Sequence, residues 1–475
     1  MLLTVVGFSL ATGARLEARE LTERAQPNLI LISLDTTRAD ALSCYGTPPG
    51  FRGQRPVVTP NIDALANEGI LFEHFYAHAP TTLSSHASMF TGLDPHGHQV
   101  VRNGFPLPTG VQTLAQRLQL EGYDTIGVVG AAALESAMGL SRGFRVYDDR
   151  MSTRLGPMVQ DRAAGVFRRI GEHLDGRQAD KPLFLFAHFY DAHTPYRAPR
   201  PWRGRFSEPD YDGPYWGKVN SLGRLRRELI QGRASERDVH QATALYLGEV
   251  AYIDHMIGRL LARLEKDGVL QHAVVVITAD HGEVLSEHPQ LAYSHGSSVR
   301  EGEMHIPLIV WGRGVALAQH RRVGSHVGMG QLGPSLERVL GLVPALGTRR
   351  DFWNLLRPGP VLDRDGWPEH PSVAITMEAT RPPRFEVKDA WNNLNFSRGV
   401  RVGPWVLRVR QEARARQWSG LEGMPATQAK HDLMQILSQT LAQWDSSAPP
   451  YRSVQMSSET QEALKALGYI DAAEH

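Results

Sequence analysis

Three short apolar runs in this 475-residue chain end in residues that bind metals or anions. Asp35 follows Asn28 to Leu34 (NLILISL). Asp191 and His193 follow Leu183 to Phe189 (LFLFAHF), and Asp280 and His281 follow Ala273 to Thr278 (AVVVIT). Carboxylates and imidazoles together are ligands for a divalent cation. A single Asp after a strand is ordinarily a helix cap. Two Asp–His sets and a further Asp at three strand ends point instead to a metal centre.

Such residues must be held by a frame, and the surrounding pattern supplies one. Thr59 to Gly69 reads as a helix with Thr59 as N-cap, Pro60 at the first helical position and Gly69 as the stop. Val111 to Leu120 reads as a helix ended by Gly122, and Thr125 to Val129 as a strand. Between Tyr246 and Lys266 the apolar residues keep helical spacing, and Ile306 to Trp311 is a further strand. Alternating strands and helices predict an α/β fold, a mostly parallel sheet sandwiched by helices. A site then forms in the crevice outside the carboxyl ends of the strands. Trp202 to Gln241 is polar and irregular and reads as a surface insertion. Beyond Leu346 the pattern changes: Gly399 to Arg410 alternates like a hairpin, and Ser457 to Leu467 reads as a short helix. The expected organisation is a leader at 1–27, a catalytic domain at 28–346 and a smaller α+β subdomain at 347–475.

Composition narrows the partners. The 51 basic and 50 acidic residues leave a formal charge of +1, which gives no reason to expect nucleic acid or an anionic membrane surface as a partner. Cys44 is the only cysteine, which rules out an intramolecular disulfide and a thiolate zinc site. Leu2 to Ala14 is an apolar run ending in small residues, too short to span a bilayer and lacking a positively charged start. We read it as an export signal, implying a periplasmic or secreted protein, with a buried strand in a cytoplasmic protein as the alternative. No other stretch is long and apolar enough for a membrane span.

Seven segments together resemble the sulfatase family, within the alkaline-phosphatase superfamily. They are LISLDTTRADALSCYG with TPNIDALANEGILFEHFYA, then TLSSHASMFTGLDPHGH, DAHTPY, ITADHGEVLSEH, SHGSSVREGEMHIPLIVWG and ALKALGYID. The resemblance implies the alkaline-phosphatase-like sheet sandwiched by helices with a small C-terminal subdomain. It also implies a metal held by Asp35, Asp280 and His281. His193 matches the His that holds the transferring group or protonates the leaving oxygen. His295 falls where the family carries a cationic substrate-binding residue.

The departures from the family pattern are chemical. Counting back from Thr91-Gly92 puts Thr82 where sulfatases carry the Cys or Ser that becomes formylglycine, and His86 at the position of an Arg that we expect to contact substrate. The methyl of threonine blocks formation of an aldehyde, so no formylglycine is expected. Superfamily members with an unmodified Thr nucleophile act on phosphorus, and a metal that lowers the hydroxyl pKa lets the alkoxide attack. Asn103, 21 residues after Thr82, matches an Asn that donates to the substrate oxyanion in phosphoryl-transfer branches; it is also an ordinary turn residue before Gly104. Thr36 stands where many sulfatases have a second metal-binding Asp, which favours Mn or Zn over Ca, and one divalent ion is expected because Asp191 and His193 are only two residues apart. The expected activity is hydrolysis of small-molecule, glycan or lipid phosphate esters through Thr82. The alternatives are a sulfuric ester hydrolase without formylglycine and a transferase of a phosphorus-containing head group. The spacing of Asp191 and His193 departs from that of two-metal relatives.

Overall fold

The computed structural model describes residues 26–447, except for 55, 101, 152, 156–157, 219–220, 348–349, 360–374, 381–395, 404, 413–414 and 420–427. The run Leu2 to Ala14 and the helix expected at Ser457 to Leu467 lie outside the described residues.

Apolar runs become strands where both faces are covered. β1 (Asn28–Leu34), β2 (Ile70–Tyr76), β3 (Asp124–Val128), β4 (Val146–Asp148), β5 (Leu183–Phe189), β6 (Ala273–Ala279), β7 (His305–Arg313) and β8 (Arg321–Gly328) form one sheet. Its order is β8-β2-β7-β6-β1-β5-β3-β4. β1 lies between β6 and β5, parallel to both, and every residue of β5 and β6 is buried. That is why these strands read as unbroken apolar runs rather than alternating ones. β7 is the exception, pairing antiparallel with β2 and β6. The mostly parallel sheet is therefore present, with one reversed strand inside it. An unbroken apolar run carries no information on strand direction.

Helices cover the sheet: α1 (Pro60–Glu68), α2 (Thr82–Thr91), α3 (Leu114–Leu120), α4 (Ala163–Asp175), α5 (Ser221–Ile230), α6 (Glu236–Lys266) and α7 (Leu332–Val339). α1 has the expected bounds but a different cap. The Thr59 hydroxyl does not cap it; the Asp254 carboxylate, from α6, accepts the Asn61 and Ile62 amides at 3.1 and 2.9 Å. α3 starts at Leu114, three residues later than expected, because Thr113 and Gln116 form a capping box there. α6 starts ten residues before Tyr246, at a capping box of Ser235 and Asp238. The segment read as an irregular insertion thus contains α5 and the first turns of α6. Among the described residues no helix is long and apolar enough to cross a membrane.

A second, antiparallel sheet of β9 (Ile375–Thr380), β10 (Phe396–Val402), β11 (Trp405–Glu412) and β12 (Ala415–Ser419) follows. β10 and β11 are the hairpin expected at Gly399 to Arg410. Leu433, Leu437 and Leu441, one face of α8 (Gln428–Ser446), pack on Val400, Leu407 and Val409. Arg408 Nε donates to the Val299 carbonyl at 2.9 Å, and Trp444 Nε1 to Asp94 Oδ2 at 2.7 Å, anchoring this layer to the large sheet's loops.

Candidate active site

β1 and β6 are neighbouring parallel strands, so the residues after their last rungs emerge side by side. Asp35, Asp280 and His281 are all fully buried, and one ligand atom from each lies within 4.8 Å of the others. The backbone fixes them. The Asp35 amide donates to the Phe189 carbonyl at 2.8 Å, tying it to β5 as well. Thr36, at φ 49°, turns its N–H onto Asp280 Oδ1 at 3.2 Å, and the His281 amide donates to the same oxygen at 2.7 Å. A left-handed conformation is unfavourable for a β-branched residue, and here it orients a carboxylate. Thr36, standing where the family pattern has a second metal-binding Asp, contributes this amide.

The hydrogen bonds leave one atom on each ligand residue without a partner. Asp280 uses Oδ1 and leaves Oδ2. Asp35 accepts from the Thr82 hydroxyl on Oδ2 at 3.4 Å and leaves Oδ1. His281 donates Nδ1–H to the Gly282 carbonyl at 2.9 Å and leaves Nε2. Unpaired buried polar atoms are costly, and three residues that each keep one, with a ligand atom from each within 4.8 Å of the others, fit a cation with mixed oxygen and nitrogen ligands. The metal-free electrostatics agree. Burial raises the Asp35 carboxyl, against the pull of His193 and His281, and burial with the Asp35 charge raises Asp280. Burial opposes a charge on His281, but Asp280 and Asp35 outweigh it and raise that imidazole.

Thr82 is the first residue of α2 and is 2% exposed. Its neighbours are committed elsewhere. The Ser84 hydroxyl donates to the Val100 carbonyl at 2.6 Å, and that of Ser85 to the Asp280 carbonyl at 2.5 Å, which pins α2 against the end of β6. Asn103 Oδ1 accepts the Leu83 amide at 2.7 Å, next in sequence to Thr82, and so caps the first turn of the helix. His86 is fully buried. It makes contacts from Nδ1 to the Thr82 carbonyl at 2.7 Å and from Nε2 to the Ser33 hydroxyl at 2.9 Å, and burial pushes it down to about 3. Both ring nitrogens are therefore occupied within the protein.

Two further imidazoles stand over the cluster. The His295 ring lies 4.8 Å from His193 and 4.6 Å from His281, between centroids. The loop that carries His295 abuts α2, since a Cβ on Gly296 would sit 3.3 Å from Thr81. His193 Nδ1–H donates to the Thr194 carbonyl at 2.8 Å, and His295 Nδ1 contacts Glu283 Oε1 at 3.2 Å, so in each ring Nδ1 is engaged within the protein. Burial, reinforced by His295, lowers His193 to about 4; burial and His281 take His295 well below the usual imidazole range. Asp191 is not part of the cluster. Its Oδ2 accepts the Ala163 amide at 2.8 Å at the start of α4.

Two residues escaped the reading of the sequence. Glu283, fully buried and pushed up by burial to about 7, links His295 to the Tyr196 hydroxyl. His188 lies inside the apolar run of β5, fully buried, with Nε2 3.3 Å from Asp35 Oδ2. The polar rung Ser33–His188–Thr278, one step before the ends of three neighbouring strands, is the signal that marks His188.

Comparison with known proteins gives one consistent picture. A family model described as Sulfatase matches residues 27–331. An arylsulfatase of Clostridium perfringens is 25% identical over 390 residues, covering 71% of this chain and 76% of that protein. The multifunctional alkaline phosphatase superfamily protein PehA of Trinickia caryophylli is 23% identical over 373 residues, covering 62% and 70%. A phosphonate monoester hydrolase from Silicibacter pomeroyi shares the fold with a TM-score of 0.64 at 18% identity, covering 90% of this chain and 96% of that one. A 2-O GAG sulfatase does so with a TM-score of 0.65 at 20% identity, covering 92% and 96%.

Proposed function

This chain belongs to the sulfatase family and is a hydrolase acting on ester bonds, and from that premise we propose that it cleaves phosphate esters, mono- or di-, through a Thr82 nucleophile. The observation that carries the reading is the placement of Thr82: an unmodified hydroxyl at the N-terminus of a ten-residue helix, directed at Asp35 beside the ligand cluster. Threonine cannot supply the aldehyde hydrate of a formylglycine sulfatase. Its alkoxide is suited to phosphorus, and the exposed amides of a helix N-terminus favour a phosphate.

Asp35 Oδ1, Asp280 Oδ2, His281 Nε2 and the Thr82 oxygen would hold the cation; two carboxylates with an imidazole favour Mn or Zn over Ca. Bound there, a divalent ion supplies Lewis acidity that lowers the pKa of the threonine hydroxyl. The remaining work falls to side chains. Thr82 gives its proton to Asp35 Oδ2 and forms a bond to phosphorus as the ester P–O bond breaks, in line. Asn103 NH₂ donates to a non-bridging oxygen. His193 or His295, which takes a proton from solvent when the substrate anion beside it raises its pKa, passes that proton from Nε2 to the leaving oxygen. Water then attacks phosphorus as the bond to Thr82 breaks; its proton passes to the same imidazole Nε2, and Asp35 returns its proton to the Thr82 oxygen. His86 holds the Thr82 carbonyl and braces α2.

The naming of relatives as sulfatases favours one second reading, sulfate-ester hydrolysis without formylglycine. A screen of metal-loaded wild-type protein against matched aryl phosphate, phosphodiester, phosphonate and sulfate esters separates the two. We expect kcat/KM at least tenfold higher for a phosphorus ester. A higher value for the sulfate would move the protein to the second reading.

A further inference from the structure

His188 is buried beside the ligand cluster in a strand otherwise made of apolar residues and one alanine (LFLFAHF). Two uses are open to it, and its hydrogen bonds choose between them. One ring nitrogen of His86, one of His188 and a carboxylate oxygen of Asp280 lie within 4.8 Å of one another, a grouping that could hold a second cation. Both nitrogens of His86 are already engaged, with the Thr82 carbonyl and the Ser33 hydroxyl. That trio therefore lacks the lone pairs a cation needs.

The second use follows from the tautomer. The Gly130 amide donates to His188 Nδ1 at 3.4 Å, so Nδ1 is the acceptor nitrogen and a neutral ring carries its hydrogen on Nε2. Nε2 makes no hydrogen bond, and it lies 3.3 Å from Asp35 Oδ2, within reach of one. The same oxygen receives the Thr82 hydroxyl, while Asp35 Oδ1 receives nothing. A carboxylate that pivots about its Cβ–Cγ bond is locked when its donors gather on one oxygen. We propose that His188 is a positioning residue: its Nε2–H is held against Asp35 Oδ2, so that Oδ1 is the oxygen presented to the cation and Thr82 is kept in line with it. In this respect the Gly130 amide, His188 and Asp35 form a relay from the β3 end to the ligand cluster.

This inference rests on the metal site proposed above, and the test separates the two. Mn²⁺ binding to the purified full chain is measured by calorimetry for wild type, His188→Ala, His188→Gln, His188→Asn and Asp280→Asn, with melting of each metal-free protein as the folding control. Outer partners of this kind typically contribute 10–100-fold in metal affinity. We expect His188→Ala and His188→Asn to bind Mn²⁺ about 10–100-fold more weakly. His188→Gln, whose amide NH₂ occupies the place of Nε2, should recover most of the affinity; the shorter Asn amide cannot reach Asp35. Wild-type affinity in His188→Ala, or equal affinity in the Gln and Asn variants, would overturn the proposal. Mn²⁺ binding that survives Asp280→Asn would overturn the metal site itself instead.

Discussion

Asp280→Asn separates the two roles that its carboxylate combines. Oδ1 accepts the Thr36 and His281 amides at 3.2 and 2.7 Å, and an amide oxygen in that place accepts both. Only Oδ2, the unpartnered atom, is exchanged for an NH₂. In the metal-free protein the substitution removes the repulsion from Asp35, which outweighs the attraction to His281 that is lost with it. Two carboxylates with ligand oxygens within 4.8 Å oppose each other by about 3.5 kcal/mol at an effective dielectric near 20. The wild-type pair escapes part of that by keeping a proton, since burial holds both carboxyls above the ordinary range. The metal-free variant should therefore melt at or above the wild-type temperature. Adding Mn²⁺ reverses the order. At a hundred times its Kd, the ion stabilises the wild type by about 2.7 kcal/mol, a rise of a few degrees in Tm, and should not shift the variant. Differential scanning calorimetry with and without Mn²⁺, together with elemental analysis, reads both effects. A variant that melts well below wild type without metal, or that shows the wild-type Mn²⁺ shift, would refute the reasoning.

Further outcomes follow from the same geometry. Thr82→Ala should eliminate turnover. Ser84→Ala, which loses only a bond to the Val100 carbonyl, should keep most of it and cost about 1 kcal/mol of stability in urea titration. Asn103→Ala removes both the helix cap and the proposed oxyanion donor, so kcat should fall about 100-fold in steady-state assays while stability falls by about 1 kcal/mol. The raised Asp35 and Asp280 carboxyls set two opposite pH trends. Both bind protons more tightly in the folded state, so their contribution to metal-free stability is complete below about pH 4 and is lost as the pH rises through their folded values. Mn²⁺ competes with those protons, so its affinity should rise over the same interval, as calorimetry across pH 5 to 8 would reveal.

The parts of the site that could be read from sequence are those where a chemical change coincides with a structural boundary. Asp35, Asp280 and His281 each break an apolar run at its end, and they do converge. His188 does not break its run at the end, and an isolated His inside LFLFAHF is indistinguishable from a core residue until register pairs it with Ser33. Glu283 is hidden for a different reason, since its partners Tyr196 and His295 are distant in sequence. β2 was missed because Glu73 and His74 interrupt its apolar pattern, and β8 because it is basic and only partly buried. The true start of α6 depends on the capping box at Ser235, which an apolar count beginning at Tyr246 passes over. In α1 Pro60 and Gly69 mark the bounds, but the cap comes from Asp254, 193 positions beyond Asn61. No local pattern carries that information.

The most direct test of the central claim is to look for the covalent intermediate. Metal-loaded protein mixed with an activated aryl phosphate is quenched in acid during turnover, and its peptides are sequenced by mass spectrometry. The account predicts a phosphoryl group on Thr82, absent from the Thr82→Ala protein, with no formylglycine in the same peptide. Turnover of the ester with Thr82 unmodified at every quench time, or with the label on Ser84 or Ser85, would contradict it.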